Sequence, residues 1–121
     1  MILLVDDDPG FLDQAEHLLG PNRGIFFAGN AKDAKALMSS VGAAFTVVMI
    51  DLDLPGQDGF SLIAEMRRNF PDLPVVAISG VFAEHVLESA KAVGAVDVLR
   101  KPIGPAWQTT IARIRALSSP Q

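Results

Sequence analysis

Five short apolar runs punctuate the chain: Ile2 to Val5, Ile25 to Ala28, residues 45–50, Val75 to Ser79 and residues 96–99. They are rich in branched side chains and continuous rather than alternating. Strands of a parallel sheet covered on both faces require that pattern. Helix-like segments separate the runs. Asp8-Pro9 predicts a helix start, with Asp8 as N-cap and Pro9 at the first helical position. Phe11, Leu12, Ala15, Leu18 and Leu19 form its apolar positions, and Gly20-Pro21 stops it. Asn30 is placed to cap a second helix, with Asp33 favouring its positive end. Asp58-Gly59 opens a third, carrying Phe60, Ile63, Ala64 and Met66. A fourth spans about 83–93 and stops at Gly94, a C′ glycine. A fifth begins near Pro105, with Trp107, Ile111 and Ile114 at i, i+4 and i+7. The pattern is βα repeated five times. With short loops and right-handed crossovers it predicts an open parallel sheet between two helical layers.

Composition narrows the class. A chain of 121 residues suits one domain, and half of its residues are hydrophobic, enough for a packed core. We assign residues 1–117 to that domain and 118–121 to a tail or the start of a linker. The net charge of −4 disfavours a nucleic-acid surface, which is normally basic. The absence of cysteine excludes disulfides, zinc-thiolate sites and cysteine nucleophiles. No apolar run approaches the roughly 18 residues of a membrane span. Met1 to Val5 runs straight into three aspartates, unlike a signal peptide. These features predict a cytoplasmic protein without membrane attachment.

The chemistry collects at the strand ends. Asp6 and Asp7 follow the first run, Asp51 the third, Ser79 the fourth and Lys101 the fifth. In doubly wound folds the site forms outside the carboxyl ends of the strands, where strand order reverses. Like charges a few ångströms apart repel by about 1 to 4 kcal/mol at near-surface dielectrics. A hard cation relieves this, and oxygen-only ligands suit Mg²⁺. Asp51 is then a candidate nucleophile toward phosphorus. Lys101 can neutralise charge on the transferring group, and the Ser79 hydroxyl can donate to a phosphoryl oxygen. His17 and His85 lack metal-ligand partners and read as surface histidines. Trp107 reads as packed on the sheet.

These residues resemble the receiver domain of bacterial two-component response regulators, of the chemotaxis-regulator type. Val5-Asp6-Asp7-Asp8-Pro9 matches the acidic-pair motif. Ile50-Asp51-Leu52-Asp53-Leu54-Pro55-Gly56-Gln57-Asp58-Gly59 looks like the phosphoacceptor loop. Ile78-Ser79-Gly80 resembles the hydroxyl switch, and Gly94-Ala95 through Lys101-Pro102-Ile103 the fifth-strand Lys-Pro motif. Any one alone is weak, but four in order over the whole chain are specific. The resemblance implies a flavodoxin-like fold with strand order 2-1-3-4-5 and a signalling module rather than an enzyme. It implies phosphoryl transfer to Asp51 in a Mg²⁺- or Mn²⁺-dependent reaction. The metal ligands would be Asp6 (mainly through water), Asp7, Asp51 and the backbone carbonyl of Asp53. Ser79 and Lys101 would hold the phosphoryl oxygens. The implied donor is a sensor histidine kinase or a phosphotransfer protein. The implied recipient is an output domain or downstream protein, with a dimer formed on phosphorylation left open. The family usually has an aromatic three positions before the lysine, where this chain has Val98. Asp53 and Val81 occupy positions that flank the path of attacking water and tune phosphoryl lifetime.

Two other functions fit parts of the pattern. Ile50-Asp51-Leu52-Asp53 is also similar to the Asp-x-Asp motif of haloacid-dehalogenase-type phosphatases. That motif normally follows the first strand, however, and here the acidic pair precedes it. A receiver-like interaction domain independent of phosphorylation is the other alternative. Val98 favours it and the intact acidic set opposes it.

Overall fold

Each apolar run becomes a strand of one parallel sheet. The computed structural model describes residues 1–19, 24–54, 56–80, 84–101 and 103–118. The strands are β1 (Ile2–Val5), β2 (Ile25–Ala28), β3 (Val47–Asp51), β4 (Val75–Ser79) and β5 (Asp97–Arg100). They lie in the order β2-β1-β3-β4-β5, all parallel. The helices are α1 (Pro9–Leu19), α2 (Ala31–Val41), α3 (Gly59–Asn69), α4 (Glu84–Ala92) and α5 (Pro105–Ser118). A short 3₁₀ turn, Gly42–Ala44, precedes β3. It was not expected from the apolar pattern.

Strand alternation splits the core in two. Leu3, Val5, Val48, Ile50, Val75, Ala77 and Val98 face α2, α3 and α4. Ile2, Leu4, Val47, Met49, Val76, Ile78 and Leu99 face α1 and α5, meeting Phe11, Ala15, Trp107 and Ile111. Both faces of the sheet are therefore apolar, which explains the continuous runs.

The predicted caps form. Asp8 Oδ1 accepts from the Gly10 amide at 3.0 Å. Asn30 accepts from the Asp33 amide at 2.8 Å, and Asp58 from the Ser61 amide at 2.8 Å. Gly94 takes φ +119, as a glycine past a helix end can.

Some expectations are corrected. β3 starts at Val47, because Phe45 and Thr46 close the 3₁₀ turn and tie back to Gly42 and Met1. β5 covers 97–100 rather than 96–99, and Val96 stays 47% exposed. α4 covers Glu84–Ala92, ending short of Val93. Leu18 is 44% exposed instead of buried. Leu62, omitted from the expected apolar face of α3, is fully buried. The helix stop at Gly20-Pro21, the loop residues Val81 and Phe82, and Pro102 lie outside the described residues, as does the Ile114 side chain.

β5 is an outer strand. The Val98 amide there donates to the Asp97 carboxylate at 2.8 Å, and the other Asp97 oxygen takes Arg113 at 2.6 Å. Among the described residues no helix is long and apolar enough to cross a membrane.

Candidate functional site

The sheet order reverses between β1 and β3, and their carboxyl ends carry the acidic residues. Asp6 and Asp7 leave β1, and Asp51 ends β3. One carboxylate oxygen from each of the three lies within 4.8 Å of the others. Asp6 and Asp51 are buried, while Asp7 is exposed at the mouth. Lys101, just past β5, reaches across. Its Nζ is 2.7 Å from Asp6 Oδ2 and 3.2 Å from Asp51 Oδ2. The backbone holds the other oxygens: the Asp8 amide donates to Asp6 Oδ1 at 2.9 Å and the Asp53 amide to Asp51 Oδ1 at 3.0 Å.

The loop after β3 is compressed onto α3. A Cβ at Gly59 would stand 2.4 Å from the Asp51 carbonyl oxygen and 2.4 Å from Leu52 Cα. Only glycine lets the start of α3 approach the backbone that presents Asp51.

Ser79 ends β4 and is buried. A cleft of about 190 Å³ joins it to Asp51 and Asp53, walled by Phe60 of α3 and Val86 of α4. The Asp53 side chain is exposed at this cleft. Val98 is elsewhere: it is 7% exposed and packed in the layer under α2–α4.

The electrostatics are those of a crowded acidic site. Burial pushes the Asp6 carboxyl above its ordinary range. The Lys101 ammonium against it and the hydrogen bond from the Asp8 amide oppose this, and the Asp51 charge adds to it. Burial alone would lower the Lys101 pKa. The close contact with Asp6 and the charges of Asp51 and Asp6 outweigh burial and raise it. Asp6 Oδ2 illustrates the deficit. It is buried with no well-directed hydrogen bond, although the lysine ammonium lies against it. A buried carboxylate oxygen with spare capacity, in a three-carboxylate cluster, fits a hard cation.

Sequence reasoning thus places Asp6, Asp7, Asp51 and Lys101 in one contact group, with Ser79 and Asp53 on the adjoining cleft. It missed Phe11, whose ring lies under the lysine ammonium, 4.4 Å from Nζ to centroid. Its helical periodicity marks Phe11 as a core residue and carries no sign of Lys101, 90 positions later.

Fold and site together define a doubly wound α/β domain with an acidic pocket at its switch point. Comparison with known proteins gives the family. Residues 2–113 match the response regulator receiver domain, and the chain belongs to that family. It is 35% identical over 119 residues to the transcriptional regulatory protein PmrA of Pectobacterium parmentieri. That match covers 97% of this chain and 52% of PmrA. It is 32% identical to a protein-glutamate methylesterase/protein-glutamine glutaminase of Methanospirillum hungatei, over 84% of this chain and 30% of that protein. The chain therefore spans about half or less of these relatives. The crystal structure of the receiver domain of NtrX from Brucella abortus matches at 30% identity with a TM-score of 0.85. It covers 98% of this chain and 100% of the other. The protein is a receiver domain of two-component signalling, in a family phosphorylated on aspartate.

Proposed function

We propose that Asp51 is the phosphoacceptor. Its carboxylate attacks phosphorus of a phosphohistidine on a sensor kinase or phosphotransfer protein. The new bond is Asp51 O–P; the P–N bond breaks and the histidine leaves. With a small acyl phosphate the P–O bond breaks and the carboxylate leaves. The observation that carries this reading is the Lys101 ammonium shared between Asp6 and Asp51 beside a three-carboxylate cluster.

Both Asp51 oxygens are engaged, one by the Asp53 amide and one by Lys101. Transfer costs one of these contacts. The lysine, on a flexible stem, can follow the charge onto the phosphoryl oxygens. Ser79 flanks the same cleft, where its hydroxyl can donate to a phosphoryl oxygen once one is present. Asp6, Asp7, Asp51 and the Asp53 carbonyl would hold the metal. When bound, Mg²⁺ (or Mn²⁺) offsets the carboxylate charge and polarises the phosphoryl group. The Asp53 side chain is exposed at the cleft, and the family resemblance gives Asp53 and Val81 a role in tuning phosphoryl lifetime.

The outcome is a switched surface read by an output domain or a downstream protein, not a turnover reaction. Residues 1–117 form the switch, acting in the cytoplasm beside its kinase, with no direct nucleic-acid contact. Dimerisation on phosphorylation is one way to read it out.

The test is labelling by acetyl phosphate with Mg²⁺. Wild type should take one phosphoryl group per chain and Asp51→Asn none. Persistent labelling of the variant would move the site. Sustained release of inorganic phosphate from monoesters would instead favour a phosphatase.

A further inference from the structure

The Lys101 ammonium has a neighbour that the acidic cluster does not account for. Besides Asp6 and Asp51, it faces the Phe11 ring at 4.4 Å from the centroid. A cation over an aromatic face is attracted by the ring quadrupole, more strongly where water is excluded. Phe11 is buried, so the contact is sheltered on its protein side.

A second ring backs the first. Trp107 of α5 is 1% exposed, and its ring centroid lies 5.5 Å from that of Phe11 at an interplanar angle of 59°. Tilted pairs at this distance are a favoured aromatic geometry. The Trp107 Nε1 donates to the Arg100 carbonyl at 2.8 Å. That carbonyl belongs to the residue immediately before Lys101. The contacts close a loop: Lys101 ammonium to Phe11, Phe11 to Trp107, Trp107 to the backbone that launches Lys101. Both the root and the tip of the lysine are fixed by one aromatic pair.

Resting on the reading of Asp51 as phosphoacceptor, we infer that Phe11 is a positioning residue for Lys101 and that the Phe11–Trp107 pair carries lysine displacement into the α1–α5 layer. A lysine is a point charge on a four-carbon stem with many rotamers. The ring limits those rotamers to ones that keep the ammonium against Asp51. When the phosphoryl group arrives and the ammonium follows it, the cation leaves or re-centres over the ring, and Trp107 senses the change. On the other face, Val98 offers no ring to move between buried and exposed positions. Among the described residues, the aromatic ring against the lysine ammonium lies on the α1–α5 face.

The experiment combines rates with spectroscopy. Acetyl phosphate with Mg²⁺ labels wild type, Phe11→Leu, Lys101→Met and the double variant, and Asp51 labelling is followed by mass. Phe11→Leu should slow labelling about three- to tenfold, as befits loss of one cation–π contact. In the Lys101→Met background the same change should have no further effect. An equal loss in both backgrounds would mean that Phe11 only packs. Site-specific fluorination of the Phe11 ring weakens its quadrupole and keeps its shape, so it carries the test if Phe11→Leu folds poorly. Labelling should slow with fluorination while melting is unchanged, and an unchanged rate overturns the role.

Trp107 is the single tryptophan. Its emission should shift on addition of Mg²⁺ and beryllofluoride in wild type and not in Phe11→Leu. Labelled wild type with silent emission would refute the transmission. Failure to label wild-type Asp51 would refute the phosphoacceptor reading instead. The geometry is still read in metal-free protein, where ring current should move the Lys101 side-chain methylene protons upfield. Absence of that shift overturns the positioning role by itself.

Discussion

Asp6 is the side chain whose placement is least favourable by itself. Its folded pKa is raised above the ordinary value of 3.8. The associated stability is complete below that value and is lost as pH rises through the folded pKa. Ionised Asp6 therefore destabilises the metal-free fold at neutral pH. Asp6→Asn should melt above metal-free wild type at pH 7.5, and the gap should close on acidification. Thermal melts at several pH values check this; an Asn variant that melts lower throughout would refute it. Mg²⁺ should raise the wild-type melting temperature, with a smaller gain at acid pH because protons compete for the same oxygens. The gathering of these side chains was legible from residue type and position, since Asp51 ends a strand and Asp6, Asp7 and Lys101 directly follow one. The lysine's aromatic floor was not. Phe11 shows the same apolar periodicity whether its neighbour is a leucine or an ammonium.

Among the elements, α3 is fixed most tightly to the chemistry. Its first residue, Gly59, has no room for a Cβ against Asp51 and Leu52. Gly59→Ala should cost about 2 to 3 kcal/mol, the range of overpacking, and lower the melting temperature by on the order of 10 °C. It should also slow Asp51 labelling, because relief of the clash moves the loop that holds Asp51. Gly94→Ala should be milder. Its Cβ would meet Arg67 Cγ at 2.5 Å and displace a side chain that donates to the Leu73 carbonyl. About 1 to 2 kcal/mol, counting the positive φ and that bond, is the expected loss on chemical denaturation. The caps at Asp8, Asn30 and Asp58 were readable because a cap is a local interaction between residues two or three apart. Strand limits were less so. Phe45 is apolar and near β3, but its amide closes the 3₁₀ turn on Gly42, and Val96 donates to the Val75 carbonyl yet stays outside β5 and largely exposed. Leu18 was misplaced because periodicity gives a face of a helix and not where its partner layer ends.

At the scale of the whole molecule the sheet divides the chain into two cores, and the site straddles its carboxyl edge. Amide shifts on adding Mg²⁺ and beryllofluoride should concentrate at the ends of β1, β3, β4 and β5 and fade toward their starts. Uniform shifts, or none near Asp51 and Ser79, would leave the interaction-only alternative standing. The outermost strand has a separate bearing on how the protein behaves in bulk. An unprotected edge recruits further strands, and chains of such contacts lead to fibres or precipitate. On β5 the Asp97 carboxylate holds the Val98 amide and is itself held by Arg113. The start of this outer strand, at the end away from the switch, thus has its Val98 amide already occupied. Asp97→Ala should leave Asp51 labelling intact, yet scatter light at concentrations where wild type stays clear.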